Sequence, residues 1–286
     1  MKTVFKAISL LFISNMLTPL GIAYAQEKFR VCADPLHPPY STKQQTGYEN
    51  LIAELFAKQL GQEVEYYWFP DRMGFIRNTL KAEDEKNGGY KCDVIMGLPV
   101  GTELAETTKA YLHSTYVLLI LKGKGWDDIS SASQLPLLPL PRQEKLKIAM
   151  FDRGPGTTWL QKNGLLEQGV PYQSMTGDSE HNTAMQIEND LRKGMIDMAI
   201  LWGPMAAYVQ SQSPLDSFIA IPMQSSPGIQ FDFSIAMAVR QGDQKRKQLL
   251  NDLIDQNMPK IREIIGNFGI VSLPIVESTP KKDDDD

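Results

Sequence analysis

From residue 28 onward, short apolar and β-branched runs alternate with segments whose apolar residues recur every three or four positions. Phe29 to Ala33 predicts a short strand running into the turn-rich loop Asp34-Pro35-Leu36-His37-Pro38-Pro39-Tyr40. Tyr48 to Leu60 predicts a helix with Leu51, Ile52, Leu55, Phe56 and Leu60 on one face and Gly61 as its stop. Val64 to Phe69 reads as a strand, Arg72 to Ala82 as a helix, and Asp93 to Gly97 as a buried strand. Strand, helix, strand, helix, strand predicts a parallel sheet with right-handed crossovers.

The second half repeats the alternation. Ser114 to Leu121 predicts a long strand, followed by a Pro-rich connector from Leu135 to Pro141. Strands are expected at Leu146–Met150 and Asp197–Leu201, and helices at Gly156–Asn163, Glu180–Lys193 and Pro204–Gln210. Phe231 to Val239 is a second long strand, and Asp243 to Asn267 a helix with a break or kink at Pro259. The two long strands bracket the second alternating block, as they would if the chain left one α/β lobe, built another and returned. Ligands of open α/β sheets sit at the carboxyl ends of the strands, so two facing lobes create a cleft.

The first 25 residues follow a different rule. Lys2 and Lys6 flank the start of an apolar run, Ala7 to Ile13, and the small-residue pattern Ala23-Tyr24-Ala25 follows. That order is a secretory signal peptide, with cleavage expected after Ala25. The apolar run is too short and interrupted to span ~30 Å of hydrocarbon, so no membrane insertion is expected. The reading is an exported, periplasmic chain.

Composition narrows the function. Of 286 residues, 42% are hydrophobic and 22% charged, the proportions of a folded soluble protein. Lys plus Arg is 29 against 34 for Asp plus Glu, a net charge of -5 that becomes -7 once residues 1–25 and their two lysines are removed. No basic field exists to hold nucleic acid. Only Cys32 and Cys92 are present, and export puts them where pairing is possible. Two outcomes stay open. A disulfide would remove unfolded-state entropy worth up to roughly 4 kcal/mol, whereas strands in parallel register offset by about three residues (~10 Å) would leave two buried thiols. The tail Lys281 to Asp286 reads as a disordered acidic end.

Three segments in order, Val31-Cys32-Ala33-Asp34-Pro35, Gly74-Phe75-Ile76-Arg77-Asn78-Thr79-Leu80 and Cys92-Asp93-Val94-Ile95-Met96-Gly97, carry a family resemblance. With Ser114-Thr115-Tyr116-Val117 and Ile200-Leu201-Trp202-Gly203-Pro204, the chain resembles the MoxJ/XoxJ family over about residues 28 to 276. These are the binding-protein-like partners of periplasmic quinoprotein methanol dehydrogenases. The resemblance implies a two-lobed type II periplasmic binding protein fold, each lobe a mainly parallel sheet flanked by helices, joined by two crossover strands. The implied division is 26–117 plus 236–276 for one lobe, 118–235 for the other, and 277–286 for the tail. It also implies a non-catalytic accessory role in maturation, assembly or activation of a pyrroloquinoline-quinone-dependent methanol dehydrogenase. A solute-binding subunit of an ABC importer for a small non-amino-acid ligand is the alternative, and a fold-related dehydratase-type enzyme a third.

The expected cleft positions differ from those of amino-acid binders. Amino-acid-binding relatives hold the ligand carboxylate with an Arg shortly after the third strand; the matching position here is Gly101, and no Arg lies in 97–110. The acid that meets the ligand ammonium is matched by Trp202. An amino-acid ligand would therefore be buried with unpaired charges. Arg153-Gly154-Pro155-Gly156-Thr157-Thr158 reads either as an anion cup at a helix start or as an ordinary turn and cap. Trp202 reads as a cleft wall or a core aromatic, and Arg72 and Arg77 as solvated or locally paired. Asp34, Tyr40, Arg153, Thr157, Thr158 and Trp202 are the candidate cleft residues for a ligand or partner. His37, His113 and His181 lack metal-ligand spacing, and no nucleophile elbow or P-loop is present, so no metal, cofactor or catalytic residue is assigned. Intact mass spectrometry of the exported protein is expected to give a chain beginning at Gln26; the mass of the uncleaved chain would refute the signal reading.

Overall fold

The computed structural model describes residues 27–178 and 180–275. The expected signal peptide and acidic tail lie outside those residues. The chain enters as β1 (Lys28–Ala33), turns through the short hairpin of β2 (Leu36–His37) and β3 (Ser41–Thr42), and continues as α1 (Tyr48–Leu60). Asn50 fixes the start of α1, its side-chain oxygen accepting from Gly47 N–H at 3.1 Å and Thr42 N–H at 3.0 Å. β4 (Glu63–Trp68), α2 (Phe75–Asn78), β5 (Val94–Pro99) and β6 (Glu106–Leu121) complete the first half.

The second half contains α3 (Leu140–Gln143), β7 (Ile148–Phe151), α4 (Pro155–Lys162), β8 (Gly169–Tyr172), α5 (Thr183–Lys193), β9 (Met198–Trp202), α6 (Gly203–Ser211) and β10 (Phe218–Pro222). β11 (Asp232–Val239) and α7 (Gln244–Asn267) return to the first half. The sheet runs β4-β1-β5-β11-β6-β9-β7-β8, with β10 also on β6. β4, β1 and β5 are mutually parallel, as are β9, β7 and β8. Between these blocks β11 pairs antiparallel with β5 and β6, and β6 pairs antiparallel with β9 and β10. This is the α/β binding-protein architecture, with an antiparallel centre that strand–helix alternation alone did not predict.

Apolar layers cover both faces of each block. Ile52 and Phe56 of α1 pack with Ile254 and Ile261 of α7 on one face of the first block, while Cys32, Ile76, Leu80 and Ala238 pack on the other. In the second block, Ile187 of α5 and Val209 of α6 cover Val117 and Leu119, and Trp126, Ile129 and Leu160 cover Leu118 and Ile120.

Several expectations need correction. The helix expected over 72–82 shrinks to the single turn α2. Gly74 has φ 88°, outside helical space, and Thr79 leaves it at φ -120°, ψ -85°, its hydroxyl donating to Phe75 O at 2.7 Å. The reward is burial of Leu80, fully inaccessible beneath the sheet. β6 begins at Glu106 rather than 114 because its polar first half is held by backbone ladders to β11. The edge strands β8 and β10 went unpredicted; each is short and contains proline (Pro171, Pro222), which lowers the strand signal. The connector at 135–141 winds into a 3-10 turn at Ala132–Leu137 and α3, and α7 continues as one helix past Pro259.

Cys32 and Cys92 are bonded, with Cα atoms 5.3 Å apart. The parallel register is as feared, Cys32 standing opposite Ile95. The bond closes despite that three-residue offset: Cys92 lies just before β5, where Asp93 N–H donates to Arg30 O at 2.8 Å and draws the segment against β1. Asp93 beside it is buried, accepting from Arg30 Nε at 2.8 Å and pairing with Arg240 and, at 3.7 Å, Arg246. Burial opposes its ionisation, but Arg240, Arg246 and Arg30 outweigh that and hold the carboxyl below its ordinary range.

Removing that carboxylate leaves Arg240 without its buried partner. Asp93→Ala is expected to cost roughly 3–5 kcal/mol in urea unfolding. Because the folded carboxyl titrates below its unfolded value of about 3.9, the stabilisation is complete above that pH and fades as acid protonates it. The variant should therefore lose part of the acid-limb steepness, and an unchanged limb would contradict the assignment.

Candidate functional site

The ends of β1 and β5 and the middle of β6 surround a cavity of about 370 Å³. Its position follows from a change of partner in β6. Ser114 stands opposite Phe233 of β11, whereas Tyr116 stands opposite Trp202 of β9. That switch collects three rings, with centroids 5.6 Å apart for Tyr116–Trp202, 5.9 Å for Trp202–Phe233 and 6.4 Å for Tyr116–Phe233. Gly203 permits the approach, since a Cβ there would lie 2.4 Å from Ser114 Oγ and 2.7 Å from Thr115 O. Tyr40 and Phe75 line other parts of the cavity.

The polar side comes from the first half. Asp34, at the end of β1, accepts from Leu36 N–H at 2.7 Å and Asp71 N–H at 2.6 Å, so it ties two loops together. Asp71 thereby lines the cavity beside it. Glu49 lies in the first turn of α1, its N–H donating to Tyr40 O at 3.0 Å. His37 also lines the cavity, its ring 4.4 Å from that of Tyr40. No Lys or Arg is among the lining residues.

Electrostatics follow from that imbalance. Burial pushes Glu49 up to about 8, with the Asp71 charge adding to the rise and a hydrogen bond from Tyr48 opposing it. Burial also raises Asp71; His37 works against the rise and Asp34 adds to it. The Tyr40, Tyr48 and Tyr111 phenols lie well above their ordinary value, chiefly through burial, and burial pushes Tyr116 up to about 12.

Of the six candidate cleft residues, Asp34, Tyr40 and Trp202 line the cavity and Arg153, Thr157 and Thr158 do not. Arg153 is exposed, and the Thr157 hydroxyl is spent on Phe151 O and Met150 Sδ. Gly101 sits in an exposed turn after β5. Arg72 lies over the Phe69 ring at 4.7 Å, and Arg77 is exposed. His113 bridges Asp232 (2.9 Å) and Pro274 O (2.7 Å), while His181 pairs with Asp178. Sequence reasoning missed Glu49 and Asp71. With them in place, the expectation that an ammonium finds no acid in the cleft is corrected, whereas the absence of a basic side chain for a carboxylate holds for this lining. The available signals were weak: an acid in a helix first turn, and an Asp just past a strand end.

No protein-family model matches the chain. It is 28% identical over 260 residues to Protein MoxJ of Methylorubrum extorquens, covering 86% of this chain and 82% of that protein. The crystal structure of periplasmic binding protein XoxJ from Methylobacterium extorquens superposes with a TM-score of 0.67 at 27% identity, covering 86% of this chain and 99% of the other. MxaJ from Methlophaga aminisulfidivorans shares the fold, with a TM-score of 0.66 at 23% identity over 86% of this chain and 100% of that one. Among the described residues, no helix is long and apolar enough to cross a membrane.

The raised Glu49 value has a signed consequence. The folded chain holds this proton to about pH 8, whereas an unfolded Glu releases it near ~4.3. Stability from this group is therefore full at the acid side of that window and is lost as pH rises through it. Melting temperatures from pH 5 to 9 should fall for the native chain relative to Glu49→Gln, with the gap widening toward pH 8; parallel curves would contradict the assignment.

Proposed function

As a member of the MoxJ/XoxJ family with the periplasmic binding protein fold, this chain is, we propose, a non-catalytic periplasmic accessory protein of a pyrroloquinoline-quinone-dependent methanol dehydrogenase. It acts in the maturation, assembly or activation of that enzyme through protein–protein contact. One observation carries the reading: the likeness to MoxJ and XoxJ runs over 86% of the chain rather than over a single motif. The cavity supports it from another side. Without Lys or Arg in its lining, it lacks the group that would hold the carboxylate of an amino acid.

In this reading the chain is exported, cleaved after Ala25, and folds into lobes 26–117 plus 236–276 and 118–235. The surface around the cleft mouth meets the enzyme. In this reading Arg153, exposed just before α4, serves with Thr157 and Thr158 as a partner contact rather than as a cavity residue. The ligand-sized cavity of about 370 Å³ favours a second reading, the solute-binding subunit of an ABC importer.

The experiment uses the mature chain and the methanol dehydrogenase of the same organism. Co-elution in size-exclusion chromatography with light scattering, or a higher active fraction of dehydrogenase after incubation, is the expected result. If the enzyme neither associates with the chain nor changes its activation, the accessory role is wrong.

A further inference from the structure

The cavity combines two features that the accessory role does not use. One wall is aromatic, the Tyr116, Trp202 and Phe233 rings gathered by the partner switch in β6. The other is acidic, formed by Glu49, Asp71 and Asp34. We propose that this cavity binds a small organic cation with an alkylated ammonium group, seated between the rings of Tyr40, Tyr116, Trp202 and Phe233 and the carboxyls of Glu49 and Asp71.

Charge sets the sign of the ligand. Three carboxyls face one imidazole, His37, and no Lys or Arg enters the lining. An anion would be repelled, whereas a cation lets the partly buried acids ionise against a counter-charge that the lining itself does not supply. The upward shifts of Glu49 and Asp71 are what burial without a cation produces, and a bound cation relieves them.

The walls select the kind of cation. Aromatic faces carry the negative side of their quadrupole and attract an ammonium whose charge is spread over alkyl groups. A primary ammonium seeks three acceptors around it, whereas here one whole side of the site is ring surface that offers none. A metal ion fits less well, because among the described residues no three His, Cys, Asp or Glu side chains converge as ligands. The volume of about 370 Å³ suits a molecule of choline size.

This inference rests on the cavity alone and is independent of the dehydrogenase reading. The test is isothermal titration calorimetry on the mature chain, with tetramethylammonium and choline as cationic probes. The controls are 3,3-dimethylbutanol, the uncharged carbon isostere of choline, and ethanolamine, its primary-ammonium analogue. Choline or tetramethylammonium is expected to bind at least about tenfold more tightly than either control. Trp202→Leu and Glu49→Gln should each weaken binding by about tenfold or more, while Trp202→Phe, which keeps a ring, should weaken it less. Thermal melts of each variant separate lost binding from lost folding. Equal binding of the isostere or of ethanolamine, or no heat from either cationic probe up to about 10 mM, overturns the proposal. The co-elution and activation measurements read none of these quantities, so either idea can fail alone.

Discussion

The change of hydrogen-bonding partner halfway along β6 is the constraint on which the site depends. Up to Thr115 the strand is laddered to β11, and from Tyr116 onward to β9 and β10. A strand cannot move relative to either ladder without breaking several backbone bonds, so the two blocks are joined by one continuous element. The junction leaves side chains from three strands facing one another, and those side chains are Tyr116, Trp202 and Phe233. Trp202 and Tyr40 pack against the cores of both blocks, so the aromatic wall is also where the halves touch.

The acidic wall is positioned by different means. Asp34 accepts two backbone N–H groups, holding the loop after β1 against the loop after β4. Glu49 is carried by a helix start that Asn50 and the Tyr40 carbonyl lock in place. Behind them, the Cys32–Cys92 bond and the Asp93 cluster with Arg30, Arg240 and Arg246 pin β1 to the entry of β5. Rigid supports of this kind keep buried carboxyls close to each other despite their repulsion. The Glu49 and Asp71 carboxyls are raised chiefly by burial, with a neighbouring acid adding to each rise.

Within the scaffold, the two sides of the cavity serve unlike purposes. The rings lie where hydrophobic cores meet and are partly buried against them. The carboxyls face no basic side chain in the lining, and burial of that charge calls for a reason beyond packing. Half-buried acids of raised affinity for protons often mark functional sites. Here they share one space with an aromatic wall.

Local pattern determined much of this protein. α1 runs over Tyr48–Leu60 as its apolar periodicity and Gly61 demanded, and β1, β4, β5, β7 and β9 fall within two residues of their apolar runs. Asp34, Tyr40 and Trp202 were accessible because they follow strands or border the first turn-rich loop, and strand ends are where α/β sheets present side chains. Tertiary structure decided the rest. The antiparallel centre, the polar half of β6 and the edge strands β8 and β10 are held by ladders between distant segments, which no local pattern encodes. Glu49 and Asp71 joined the cavity only when Tyr40 and Asp34 bound their backbones, and the three-ring wall formed only when β6 changed partners. Periodicity reports which residues want burial, but which charges end up sharing a pocket is a property of the assembled chain.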